Sequence, residues 1–266
     1  MQRDELLRRA RVAEKIVREA GKLAKRHYLR RDELAIENKG LQDLVSAADR
    51  ECEALVASSL SKAFPDDSLL GEEGGLRQNG PALWVVDPID GTSNFLTGIA
   101  HWCVSLGLVI ENRSVLGFIY DPIADEMFSA IAGEGAHLNG KPIKVSAKSQ
   151  INRARIGLGF SYRRPVAPHS ADVRNLLDAG CEYLRLGSGA LGLAYTAAGR
   201  FDGYWERHIN LWDVAAGLVI VEEAGGRIND FFHPSVVADG NEVLAATPAL
   251  FNEFRALLGV EDGSKA

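Results

Sequence analysis

The 266-residue chain is 46% hydrophobic and 25% charged, which excludes disordered and fibrous classes and leaves room for one sizeable domain or two small lobes. Its 30 basic and 36 acidic residues give a net charge of −6; this argues against non-specific nucleic-acid binding, while acids gathered around a cation remain open. No apolar stretch approaches the ~20 residues of a membrane helix, and the three widely spaced cysteines, Cys52, Cys103 and Cys181, predict buried reduced thiols in a cytoplasmic protein.

From the N-terminus, Leu6, Ala10, Ala13, Val17 and Ala20 recur at helical spacing, with charges between them that exclude a signal peptide. Gly21 interrupts this helix without having to end it. Residues 33–37 predict a short strand and "NKGLQD" (38–43) a loop; "LVSAADRECEALVASSLSKAF" (44–64) predicts a second helix, closed by Pro65. "DSLLGEE" and "ALWVVDP" follow as strands ending in acids. "HWCVSLGLVIEN", "SVLGFIYDP", "EMFSAIAG" and "GAHLNGKPI" then predict an antiparallel meander.

The second half alternates. "RIGLGF", "EYLRLG", "DGYWER", "GRIND" and "EVLAATP" predict strands; "ALGLAYTAAG", "NLWDVAAGLVIVEEAGG" and "ALFNEFRALLG" predict helices, and the tail from Val260 is expected to fray. "GLGFSY" (157–162) lacks the third glycine of a dinucleotide loop and reads as strand. The pattern implies one mixed α/β domain over 1–266, with two joined lobes of about 1–145 and 146–266.

The chemistry centres on "WVVDPIDGTSNF" (84–95). Pro88 ends the ladder, and a bend there can turn Asp87, Asp90 and the Ile89 carbonyl toward one point, as a hard cation requires. Gly91 permits close backbone approach, and Thr92, Ser93 and Asn94 can open a short helix whose N–H groups face an anion. The same D-P-x-D pattern also makes an ordinary turn. Glu72, at the end of "LLGEE", and Asp213, in "LWDVAAG", could join Asp87 and Asp90 in a site of two or three metals; at the start of a helix Asp213 could equally serve the helix dipole. Strand alternation points Glu73 away from Glu72. His208 reads as a surface or supporting residue, and Lys39, Asp43 and Asp202 as loop, turn or capping residues. The sequence holds no G-x-S-x-G, H-E-x-x-H or G-x-x-x-x-G-K-[ST] motif.

"GEE" (71–73), "WVVDPIDGTSNF" and "LWDVAAG" (211–217), with "NKGLQDLVSAAD" (38–49) and "GSGALGLAYTAAGRFDGYWE" (187–206), resemble the inositol monophosphatase family of Mg²⁺-dependent, lithium-sensitive phosphatases over nearly the whole chain. The resemblance implies an αβαβα sandwich, usually a homodimer. Glu72, Asp87 and the Ile89 carbonyl would hold one Mg²⁺, and Asp87, Asp90 and Asp213 a second, with a weaker third near Glu72. Gly91 and Thr92 would bind phosphate, beside Asp90 and Asp213. Asp49 would hydrogen-bond Thr92 and, with Glu72, orient a metal-activated water. Gly187, Ser188, Gly189 and Glu206 would contact the substrate alcohol. Three departures stand out: many members read Gly-Thr-Ala or Gly-Ser-Ala at 187–189, carry an arginine three rather than two residues before that glycine (here Arg185), and have threonine in place of Ser93.

The implied activity is hydrolysis of a small phosphate monoester, foremost inositol monophosphate, without nucleic-acid or membrane partners. The same chemistry on fructose 1,6-bisphosphate, histidinol phosphate or 3′-phosphoadenosine phosphate stays open, with Arg185, Arg200 and Arg207 as candidates for a second phosphate. A regulatory binding protein on the same fold is the alternative of another class.

Overall fold

The computed structural model describes residues 1–33, 36–40, 43–162 and 164–260, and side chains outside 34–45. The side chains of Lys39 and Asp43, and the tail beyond Val260, therefore lie outside the described residues.

The first helix, α1 (Arg3–Leu29), runs through Gly21, where a Cβ would stand 2.4 Å from the Tyr120 ring. The glycine is there for close packing and does not break the helix. Strands β1 (Ile36–Gly40) and β2 (Asp43–Ser46) pair as an antiparallel hairpin, where the sequence suggests a short strand and a loop. Helix α2 (Ala47–Ala63) starts three residues later than its apolar pattern suggests. The reason is a capping box: the Ser46 hydroxyl accepts from Ala48 N–H at 3.2 Å, and Asp49 accepts the Ser46 N–H at 2.8 Å.

An eight-stranded sheet follows, from β3 (Ser68–Gly71), β4 (Gly75–Arg77), β5 (Ala82–Asp90), β6 (Cys103–Ile110), β7 (Arg113–Asp121), β8 (Glu126–Ile131), β9 (Gly135–Leu138) and β10 (Lys141–Pro142), in the order β10-β9-β8-β7-β6-β5-β3-β4. From β5 to β10 it is the predicted antiparallel meander; β3 and β5 run parallel. Helix α3 (Thr92–Thr97) leaves the end of β5. A five-stranded sheet is built from β11 (Arg155–Leu158), β12 (Glu182–Leu184), β13 (Gly203–Ile209), β14 (Arg227–Ile228) and β15 (Asn241–Ala246), ordered β12-β11-β13-β15-β14. Its helices are α4 (Val166–Asp178), α5 (Gly189–Ala197), α6 (Leu211–Glu223), α7 (Val236–Asp239) and α8 (Phe251–Leu258). No element is assigned from sequence to the stretch that forms α4. Pro165 is the N-cap and Pro168 lies in the first turn, where no N–H is needed.

The elements stack as αβαβα. Ala13 and Val17 of α1, with Val56 and Leu60 of α2, pack on Trp84, Val86 and Leu106. On the opposite face of the same sheet, Val85, Ile119 and Phe128 meet Leu191 of α5 and Val214 and Leu218 of α6. Those two helices are covered by Tyr204 and Val243 of the second sheet. Ile156, Trp205 and Leu244 then bury Leu176 of α4 and Phe254 of α8. Both faces of β5 are covered, which is why it reads as an unbroken apolar run. Among the described residues no helix is long and apolar enough to cross a membrane, and all three cysteines are buried and unpaired.

Small residues set the position of α6. Gly107 and Gly117 face each other across β6 and β7. A Cβ at Gly107 would stand 2.9 Å from the Ala215 carbonyl carbon, and one at Gly117 only 2.2 Å from the Ala216 carbonyl oxygen. The helix backbone thus rests on the sheet backbone, two residues beyond Asp213. Gly117→Val should push α6 off the sheet. The expected loss is about 3 kcal/mol, read as a lower urea midpoint.

Candidate metal and phosphate site

In a regular strand, residues three apart face opposite sides. Asp87 and Asp90 escape this because β5 carries an extra residue: Asp87 pairs with Ser105 and Asp90 with Cys103, so three steps on β5 oppose two on β6. Pro88, which has no N–H to give a ladder, sits inside this bulge. Ile89 donates its N–H to Asp87 Oδ1 at 2.9 Å. Asp213 arrives from the first turn of α6, and its Oδ2 accepts the Asn210 N–H at 2.9 Å. One carboxylate oxygen from each of Asp87, Asp90 and Asp213 lies within 4.8 Å of the others. Glu72, on the turn after β3, lines a cavity with Asp90 and Asp213, and its charge acts on Asp87.

Asp90 is the most heavily held. Its carboxylate accepts hydrogen bonds from the Ser188 hydroxyl, from Ala190 N–H at 2.7 Å and from Gly189 N–H at 3.3 Å. It therefore sits on the N-terminus of α5, where N–H groups are free and the helix dipole favours an anion. The Cys103 thiol is also 3.8 Å away. Sequence reasoning assigns Ser188 and Gly189 to the substrate alcohol; here both grip the Asp90 carboxylate. The N-cap pattern of "GSGAL" was a legible signal, but its acidic partner lies 98 residues away.

Burial is the first cause that raises the Asp87 carboxyl well above its usual range, followed by the charges of Glu72, Asp90 and Asp213. Burial likewise raises Asp90, against its hydrogen bond from Ser188. Burial and then the charge of Asp90 push Asp213 up to about 7. Among the described residues, no cation appears among the groups acting on these three acids. An all-oxygen donor set suits a hard divalent cation, so the residues fit Mg²⁺.

The surrounding turns follow from the same packing. Gly91 has φ of +98° and N-caps α3; a Cβ there would meet the Gly187 carbonyl oxygen at 3.3 Å. Asn94 ties the two turns together, its Nδ2 donating to Leu186 O at 2.7 Å and His101 O at 2.8 Å. That bridging role was not legible in "GTSNF". The Thr92 hydroxyl donates to Ile89 O at 3.0 Å. Asp49 is buried, does not line the cavity, and holds Ser46 through both the N–H and the hydroxyl. The Asp49–Thr92 hydrogen bond implied by the resemblance is thus replaced, in this structure, by a helix cap and a turn. Behind Glu72, Glu53 of α2 accepts Glu73 N–H at 2.8 Å and Gly74 N–H at 2.7 Å, fixing the acid-bearing turn. The chain turns there, so strand alternation does not decide where Glu73 lies.

Opposite the acids, Glu206 lines the cavity and accepts from the Tyr204 hydroxyl at 2.7 Å. Burial pushes its carboxyl up to about 8. His208 also lines the cavity, with Nε2 2.8 Å from Asp239 O.

A family model described as "Inositol monophosphatase family" matches residues 5–258. The Nus factor SuhB of Haemophilus influenzae is 36% identical over 258 residues, covering 94% of this chain and 97% of that protein. The inositol-1-monophosphatase of Rhizobium meliloti is 40% identical over 215 residues, covering 79% of this chain and 81% of that one. The crystal structure of extragenic suppressor protein suhB from Bartonella henselae aligns with a TM-score of 0.88 at 34% identity, covering 94% of this chain and 98% of that chain.

Ser188→Ala removes a charge-assisted donor to Asp90 and leaves the backbone N–H groups in place. Mg²⁺ affinity measured by calorimetry should fall about 10-fold, the scale of losing a partner that orients a ligand. Unchanged affinity would mean that the Ser188 contact does not position Asp90.

Proposed function

The chain belongs to the inositol monophosphatase family, and from that membership we propose that it is a Mg²⁺-dependent phosphomonoesterase acting on inositol monophosphate or a similar small polyol phosphate. One observation carries the reading: Asp90, Asp213 and Glu72 line a cavity with the Gly91–Thr92 turn, and the carboxylate of Asp87 lies within 4.8 Å of those of Asp90 and Asp213.

Asp87, Asp90 and Asp213, with Glu72 and the Ile89 carbonyl, would hold two to three Mg²⁺ ions. When bound, Mg²⁺ would neutralise clustered negative charge and lower the pKa of water at the site. The chain's own part is positioning. The N–H groups of Gly91 and Thr92 would hold the phosphate; they precede the first α3 bond, from Phe95 N–H to Gly91 O. Glu72 and Thr92 would orient the attacking water, while Asp49 is committed to the cap of α2. Glu206, held by Tyr204, would accept hydrogen bonds from hydroxyls of the alcohol, and the Gly187–Gly189 turn would close the pocket beside it. No side chain need form a covalent bond to phosphorus; the contribution is electrostatic and geometric.

The arginines favour a monophosphate over a bisphosphate. Arg200 is paired with Glu126 at 2.6 Å and Arg207 with Asp172 at 2.6 Å, while Arg185 lines the cavity. A second reading, a regulatory binding protein on this fold, draws on the name Nus factor carried by the Haemophilus influenzae relative. Affinity capture that yields no stoichiometric partner would weigh against it.

Phosphate release should be measured from inositol 1-phosphate, inositol 2-phosphate, fructose 1,6-bisphosphate, histidinol phosphate and 3′-phosphoadenosine phosphate, with Mg²⁺, without it, and with added Li⁺. The expected result is Mg²⁺-dependent, Li⁺-inhibited release from an inositol ester, reduced at least about 100-fold in Asp87→Asn, as when a preorganised electrostatic group is removed. Full Mg²⁺-dependent turnover by Asp87→Asn would sink the mechanism, and silence across the panel would sink the substrate class.

A further inference from the structure

Glu72 stands on a turn, and two contacts hold that turn from opposite sides. β3 ends at Gly71, opposite Val86 of β5, and the Glu72 N–H donates to Val86 O at 3.3 Å. This is the contact on the side of Asp87, the next residue of β5. On the other side, Glu53 of α2 gives one carboxylate oxygen to Glu73 N–H at 2.8 Å and the other to Gly74 N–H at 2.7 Å. The two residues that follow Glu72 are thus bound to a single planar group.

The turn is shaped around that group. A Cβ at Gly71 would stand 2.4 Å from the Glu53 carboxyl carbon, and one at Gly74 would stand 2.5 Å from its Oε1. Glycine on either side of the acid pair leaves room for the carboxylate and for nothing larger than hydrogen. Glu53 is 6% exposed; burial raises its carboxyl, and the two N–H donors and the charge of Arg77 act in the opposite direction. A buried carboxylate carries a desolvation cost that an apolar side chain avoids, so packing alone does not call for one here. Asp49, one turn earlier on the same face of α2, is committed to the helix cap. The acid that α2 turns toward the site is therefore Glu53, where the family resemblance puts Asp49 forward.

Resting on the phosphatase reading above, we propose that Glu53 is a positioning residue for the reaction: through the backbone of residues 73 and 74 it sets the direction of the Glu72 carboxylate, and with it both the cation affinity at Glu72 and the orientation of the attacking water. Glu53 does not line the cavity. It touches neither cation nor substrate and acts only through Glu72.

Glu53→Gln keeps the shape of the side chain but sets an NH₂ group against one of the two N–H donors. Gly74→Ala reaches the same end from the other partner, because its methyl would displace Glu53 Oε1. In each variant Mg²⁺ affinity, measured by calorimetry, is expected to fall about 10-fold, the scale of losing a group that orients a metal ligand. At saturating Mg²⁺, kcat for inositol 1-phosphate should fall by a similar factor while KM changes less than about 2-fold, because the lost contact orients water and binds no substrate. The deciding background is Glu72→Gln. There Glu53→Gln should change neither Mg²⁺ affinity nor kcat any further, since two residues that act through one another are not additive. A lower urea midpoint with unchanged Mg²⁺ affinity and kcat would overturn the inference and leave Glu53 as a brace for folding alone. A full further loss on the Glu72→Gln background would overturn it as well. Either result leaves the phosphatase reading standing. If the wild type hydrolyses no ester, that reading fails, and calorimetry decides the rest: weaker Mg²⁺ binding in Glu53→Gln that vanishes on the Glu72→Gln background supports the positioning role, and equal binding refutes it.

Discussion

The site depends on the mutual repulsion of the buried Asp87 and Asp90 and the half-buried Asp213, whose oxygens lie within 4.8 Å of one another. Left alone, such a cluster takes up protons, and burial and like charge do push all three carboxyls upward. The fold offsets part of this with oriented N–H groups. Asp90 has two from the start of α5, Asp213 has one from Asn210, and Asp87 has one from Ile89. A positive ion would satisfy the rest. The three strand and helix ends converge because each supplies something an anion needs, and the cation requirement is what convergence leaves over.

Holding three chain segments together at one point demands tight packing elsewhere. Backbone contact between α6 and the Gly107–Gly117 pair fixes how far Asp213 reaches. Gly217, where a Cβ would stand 2.5 Å from Leu193 Cδ1, brings α5 close to α6, and α5 carries the N–H groups that hold Asp90. The large-sheet glycines and the middle helices therefore serve electrostatics as much as packing. A shift in either helix would separate an acid from its donors or from the other acids.

This division explains what the sequence discloses. The meander was legible because each strand is covered on at least one face and ends in turn residues. The gathering of Asp87, Asp90 and Asp213 was legible because several acids stand at strand and helix ends, although each such position also has a turn or capping use, as Asp213 shows at the start of α6. The resemblance to a known family then ordered them. The Glu53 brace, the Asn94 bridge and the Ser188–Asp90 contact were not legible. Each joins residues that are 20 to 98 positions apart, and nothing in local periodicity encodes the partner. Helix α4 was hidden for a different reason: proline is a breaker inside a helix but harmless in the first turn.

The departure at Gly189 shows how local sequence and distant packing trade places. From sequence, a glycine where relatives of this type carry alanine suggests a looser pocket wall. In the structure, a Cβ at 189 would stand 2.6 Å from Ile209 Cδ1. The volume that an alanine methyl would fill is already occupied by an isoleucine from β13, which is itself buried. The donor to Asp90 is a backbone N–H, and glycine supplies it as well as alanine does. What the substitution changes is which strand seals the wall. Because β13 also carries Tyr204 and Glu206, the seal and the Glu206 carboxylate sit on one strand, so the pocket depends less on the turn at 187–189 and more on the register of the second sheet.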